Sequence, residues 1–181
     1  MASLVYTMFT SLDGYTADAS GNFDWAMPDA EVHAYANELG ASIGTNLYGR
    51  RMYETMVYWE TADTGPDAQP ESAAWARQWQ ATDKIIYSST LTETRSKRTR
   101  IERAFDPSAV QALKASSTRD LAISGPTLAS HALRAGLVDE IQQVLFPVVV
   151  GGGTRFLPPD LRLALRLLGR QPHLRRRARH V

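Results

Sequence analysis

A chain of 181 residues with 44% hydrophobic and 22% charged side chains has the size and composition of one globular domain with a substantial core. It contains no cysteine, which excludes disulfides, thiolate metal sites and cysteine nucleophiles and fits a reducing, cytoplasmic setting. The formal charge of +1 conceals an asymmetry: residues 162–181 hold seven arginines and no acid, so the rest of the chain carries about −6.

The first segment, Val5 to Leu12, is rich in β-formers and ends at Asp13-Gly14, which predicts a strand and a turn. Asp29 is placed to cap a helix in which Val32, Tyr35, Ala36 and Leu39 recur at helical spacing before Gly40. Ser42 to Tyr48 predicts a short strand, followed by Gly49 and a helical stretch from Arg50 to Trp59. Gly65-Pro66 and Pro70 punctuate a loop before a short helix through Trp75 and Trp79. Lys84 to Ser88 predicts an apolar strand that ends in the hydroxyl cluster Ser88-Ser89-Thr90.

Asp106-Pro107 is a helix start, with a cap and a proline at the first helical position. Asp120 to Ser124 predicts a strand, and Gly125-Pro126 opens a helix that closes at Gly136. Glu140 to Val150 predicts a long buried strand before Gly151-Gly152-Gly153. Strands alternating with helices imply an α/β fold whose mostly parallel sheet is covered on both faces. The longest apolar run, Val144 to Val150, is far short of a membrane span, and the N-terminus carries no basic leader pattern.

Ligands of parallel sheets bind beyond the carboxyl ends of the strands, where helix N-termini meet them. Three strand ends carry suitable groups. At Gly49-Arg50-Arg51, two cations in the first turn of a helix oppose its dipole, a cost that a nearby anion would offset. At Ser124-Gly125-Pro126-Thr127, glycine permits close backbone approach and the helix start offers free N–H groups to a phosphate. Ser88, Ser89 and Thr90 offer hydroxyls at a third strand end. Together they suggest a surface for a ligand with several phosphates, whereas each alone is also a common packing or turn device.

Dinucleotide-fingerprint, P-loop and nucleophile-elbow motifs are missing from the sequence. His33, His131, His173 and His180 show no metal-ligand spacing, and His33 and His131 are expected as surface or packing residues in helices. No metal is expected.

Several motifs in order resemble the dihydrofolate-reductase-like superfamily, and within it the riboflavin-biosynthesis reductase (RibD C-terminal) domain family. They are Thr10-Ser11-Leu12-Asp13-Gly14-Tyr15, Asp24-Trp25, Tyr48-Gly49-Arg50-Arg51-Met52-Tyr53-Glu54, Ala122-Ile123-Ser124-Gly125-Pro126-Thr127-Leu128, Leu137-Val138-Asp139-Glu140-Ile141 and Phe146 to Gly153. The resemblance spans residues 3–166 and implies NADPH laid across the carboxyl edge of the sheet. By position, Gly49, Arg50 and Arg51 would approach the cofactor phosphates and Ser88, Ser89 and Thr90 the 2′-phosphate. Ser124, Gly125, Thr127 and Leu128 would hold the pyrophosphate and nicotinamide side. Asp13 would be the catalytic carboxylate that orients or protonates the acceptor, although Asp-Gly after a strand is also a turn signal. Trp25 would wall the substrate cleft, unless it is core.

The resemblance implies an NADPH-dependent reductase of a heterocyclic, ribosylamino-pyrimidine or pterin-like small molecule, acting as a homodimer. True dihydrofolate reduction is the alternative among enzymes. Authentic dihydrofolate reductases, however, carry a carboxylate two residues after a proline, and here that position is Ala30. A catalytically inactive binding protein with a nucleic-acid-contacting tail is the alternative of another class, and the acidic body makes nucleic acid the less expected partner. The domain is expected to occupy residues 1–168. The arginine-rich segment 169–181, without apolar periodicity, is expected to be poorly ordered.

Overall fold

The computed structural model describes residues 1–169; the arginine-rich segment from 170 onward lies outside the described residues. Five of the expected strands form, as β1 (Leu4–Thr10), β3 (Ile43–Gly49), β4 (Asp83–Tyr87), β6 (Asp120–Ser124) and β7 (Glu140–Leu145). A sixth, β5 (Thr99–Glu102), completes a six-stranded sheet in the order β5-β4-β3-β6-β1-β7. Every pairing in it is parallel. Two short strands, β2 (Tyr15–Ala17) and β8 (Thr154–Arg155), pair antiparallel beside it. The long strand expected over residues 140–150 stops at Leu145. Pro147 has no N–H for a ladder, and from Phe146 the chain turns towards Leu12, whose N–H donates to the Val148 carbonyl.

Five helices cover the sheet: α1 (Ala30–Gly40), α2 (Arg50–Met56), α3 (Pro70–Ala81), α4 (Pro107–Ser116) and α5 (Pro126–Arg134). The expected caps are present, with Asp29 accepting from the Val32 N–H and Asp106 from the Ser108 N–H. Each supplies a partner to a helix-end donor that would otherwise have none.

Period-two alternation sends Leu4 and Tyr6 of β1, Leu47, Ile85, Leu121 and Ile123 to one face. There they meet Val110 of α4, four buried residues of α5, and Phe156, which stacks on Tyr6. The opposite face sends Tyr48 and Ile86 against Tyr53 of α2 and Trp79 of α3. At its centre the packing thins to a cluster of Val5, Ile43 and Ala122. The architecture is α/β, a parallel sheet with helices on both faces.

Candidate functional site

Register brings the three strand ends together. Tyr48 pairs with Ser124 and Gly49 with Tyr87, so the ends of β4, β3 and β6 lie side by side on one edge of the sheet. They open into a cleft of about 1200 Å³ that runs from this edge over the thinly packed centre of the sheet, beneath α1 and α3. Gly49, Arg50, Arg51, Ser88, Ser89, Ser124, Gly125, Thr127 and Leu128 all line it. Thr90 stands one step behind, its hydroxyl accepting from the Arg50 guanidinium at 2.9 Å.

These residues differ in what they leave free. Gly125 adopts a φ of +91°, which L side chains rarely tolerate, and a Cβ there would sit 3.2 Å from the Met52 Cβ. Its use is therefore double: it makes the β6–α5 turn and lets α2 approach. As the cap residue of α5 it has no side chain to offer the helix-start donors. Those N–H groups, with the favourable end of the helix dipole, are available to an anion.

Arg50 is held by Glu54 at 2.7 Å as well as by Thr90, which fixes it against the hydroxyl cluster. Arg51 is exposed on the cleft and has no side-chain partner among the described residues. Ser88 is mostly committed, since its hydroxyl accepts from the Thr90 and Leu91 N–H groups and shapes the turn. Ser89 keeps its hydroxyl. The Leu128 side chain belongs to the opposite core, so this residue can offer a ligand only its backbone.

The two substrate-side expectations land elsewhere. The Asp13 carboxylate accepts from the N–H groups of Val150 (3.2 Å) and Gly151 (2.8 Å) and does not line the cleft. The Ser11 hydroxyl and these two N–H groups hold its pKa below the ordinary carboxylate value. A carboxylate so stabilised is a poor proton donor at neutral pH. It ties down the glycine loop, where Gly153 is packed against the backbone of Ala17 and Asp18 at the cleft rim. Trp25 lies edge-on to Phe146 with centroids 6.4 Å apart, and its indole N–H donates to the Asn22 carbonyl. Its neighbours Phe23, Ala26 and Met27 line the cleft instead.

Other residues enter that the sequence did not single out for function. Arg103, just past β5, lines the strand-end half and is aimed by donating to the Ser88 and Leu91 carbonyls. Phe105 stacks on His131 of α5, centroids 5.9 Å apart, and both line the same half. Under α1 and α3 the wall is aromatic, made by Trp59, Trp75, Trp79 and His33. A basic residue directly after a strand was the available signal for Arg103, but β5 itself is too polar to be noticed.

His33 is nine-tenths buried, and its Nδ1 has no hydrogen-bond partner on any other described residue. Burial lowers its pKa, which favours the neutral ring. Among the described residues no aspartate or glutamate lines the cleft. Asp29 serves as a helix cap, so the pterin-binding carboxylate of dihydrofolate reductases has no counterpart in the wall. Among the described residues no group of His, Cys, Asp or Glu could hold a metal ion, and no helix is long and apolar enough to cross a membrane.

Comparison with known proteins agrees with this architecture. A protein from Shewanella sp. PV-4 provisionally named for riboflavin biosynthesis has a similar structure, with a TM-score of 0.70 and 21% identity over 92% of this chain and 90% of that one. The diaminohydroxyphosphoribosylaminopyrimidine deaminase/5-amino-6-(5-phosphoribosylamino)uracil reductase of Thermotoga maritima follows at a TM-score of 0.61 and 14% identity. There 91% of this chain matches about half (51%) of the other. Dihydrofolate reductase from Enterococcus faecalis, in complex with NADP(H), gives a TM-score of 0.53 and 14% identity over 87% of this chain and 79% of that one. The RibD C-terminal domain family matches residues 2–174, nearly the whole chain. With the strand-end site on a dihydrofolate-reductase-like sheet, that match makes this chain a member of the RibD C-terminal domain family.

Proposed function

We propose that this chain is an NADPH-dependent reductase of a small heterocyclic molecule. The observation that carries the reading is the convergence of Arg50, Arg51, Arg103, Ser89 and the uncapped start of α5 on one end of a cleft without carboxylates. Such a cluster of cations and free N–H donors suits a ligand with several phosphates. Membership of a family whose solved relatives include reductases supports hydride transfer as the use of that ligand. When bound, NADPH supplies the hydride.

The chain's own residues divide the remaining work. Arg50, held against Thr90, and Ser89 are assigned to the 2′-phosphate. Arg51 and the Thr127 and Leu128 N–H groups take the pyrophosphate. Gly49 and Gly125 allow backbone to approach, and Ser124 fixes the floor through its hydroxyl bond to the Thr7 carbonyl. The aromatic half excludes water from the acceptor, which strengthens every electrostatic contact inside. Asp13 acts as a positioning residue for the rim loop, and the missing wall carboxylate weighs against dihydrofolate as substrate.

Titrating cofactor fluorescence tests the reading. NADPH should bind about tenfold tighter than NADH, a difference of about 1.4 kcal/mol; equal affinity would remove the 2′-phosphate assignment. A homodimer belongs to the same proposal. It is supported by the outer edge of β7, unpaired among the described residues, and by the exposed Leu145, Leu165, Leu167 and Leu168. Sedimentation of the same preparation as a monomer would remove that part alone.

A further inference from the structure

The two halves of the cleft differ in charge, and the difference bears on what is reduced. Among the described residues, the three arginines of the lining, Arg50, Arg51 and Arg103, belong to the strand-end half. Under α1 and α3 the lining holds no arginine, lysine, aspartate or glutamate among the described residues. The Lys84 ammonium lies 4.1 Å from the Trp79 ring centroid. It is buried, outside the lining, and donates to the Lys97 carbonyl. A phosphate buried in this half would lose its hydration without gaining a counter-charge.

What the half does offer is flat apolar surface with one polar point. Trp59 and Trp75 meet edge to face at 6.4 Å, and the His33 ring stands edge-on to both, at 5.6 and 6.4 Å. Indole and imidazole walls at these angles complement another aromatic ring. A side chain wanted only as filler would be served by phenylalanine or leucine. His33 instead brings into the wall a ring nitrogen with no partner on any other described residue, and buried polar atoms seldom go without one. A neutral imidazole has one donor and one acceptor, which suits the N–H and carbonyl edge of a heterocycle.

We propose that the hydride acceptor is a planar heteroaromatic molecule without a phosphate, bound against Trp59 and Trp75, and that His33 is the polar side chain that selects it. The inference rests on the reductase reading and departs from the phosphoribosyl compound in the Thermotoga protein's name.

The test uses the full chain and two probe pairs: riboflavin with its 5′-phosphate, and 5-amino-6-(ribosylamino)uracil with its 5′-phosphate. Tryptophan quenching, checked by equilibrium dialysis, is read with and without NADP⁺. In any pair that binds, the phosphate-free member should bind at least about tenfold tighter. His33→Phe should weaken that binding about tenfold or more with NADPH affinity unchanged, and His33→Gln should recover part of it.

Equal or tighter binding of the phosphorylated members overturns the proposal, and so does failure of all four probes at millimolar concentration. Unchanged probe binding by a destabilised His33→Phe would mark the ring as filler and also overturn it. Should NADPH fail to bind while these results hold, the reductase reading falls and the aromatic site stands. NADPH binding with a phosphate-preferring probe fells the inference alone.

Discussion

The two faces of the central sheet are built from neighbouring residues of the same strands, yet they do different jobs. Ile123 points to the face closed by α4, α5 and Phe156 and is fully buried. Ala122, one residue earlier, points to the other face, where only Val5 and Ile43 share its buried cluster and the cleft floor begins. The closed face uses large branched side chains that fill space. The open face puts Ala122 and Ser124 where bulk would obstruct, and its helices stand off on tryptophans. At the centre of the sheet, close packing therefore concentrates on one face and the cleft opens on the other.

Paired substitutions break this contrast most sharply. Ile123→Ala should cost about 2–5 kcal/mol, read as a lower urea midpoint, because it removes three carbons from a close-packed site. Cofactor affinity of the folded fraction should be unchanged. Ala122→Leu adds three carbons on the opposite face. It should change stability by no more than about 1 kcal/mol while weakening acceptor-probe binding about 100-fold, or about 2.7 kcal/mol. If Ala122→Leu destabilises as much as Ile123→Ala and spares binding, the open face is packed core and the contrast fails.

Asp13 sharpens the comparison at the rim with a smaller effect. Its folded pKa is lowered by Ser11, Gly151 and Val150. Its contribution to stability is therefore present above the unfolded pKa and lost as pH falls through the folded one. Asp13→Asn should lower the melting temperature by a few degrees at pH 7. That deficit against the parent should shrink steadily as the pH is taken from 5 to 2. Turnover per folded molecule should stay within about threefold. A loss of about 100-fold with an unchanged melting curve would restore Asp13 as the catalytic carboxylate.

Much of the fold was legible because buried parallel strands are apolar runs and their junctions are marked by Gly, Pro and capping Asp. Val5 to Leu12 and Asp120 to Ser124 announce themselves this way, and so does the start of α4 at Asp106-Pro107. The edge strand β5 was not legible. Its sequence Thr-Arg-Ile-Glu has one apolar residue, and it pairs only with β4. β2 and β8 are shorter still, and tertiary contacts rather than pattern define them.

At the site, the strand-end residues could be named because glycines, hydroxyls and adjacent arginines there are visible in one dimension. The aromatic half could not be assembled. His33, Trp59 and Trp75 sit on three different elements, and as singletons in helices they look like core. The contact of Asp13 with the glycine loop was hidden for a related reason: only the fold brings residue 151 to it across the chain.

The central claim is that the strand-end half of the cleft holds the phosphates of NADPH, and cofactor titration of Arg50→Ala tests it most directly. Arg50 is fixed against Thr90, beside the hydroxyls assigned to the 2′-phosphate. The variant should therefore lose about tenfold in NADPH affinity, about 1.4 kcal/mol, while NADH affinity changes less than about twofold. Arg51→Ala, read beside it, should weaken both cofactors alike. NADPH affinity left intact by both substitutions, in protein that melts normally, would contradict the account.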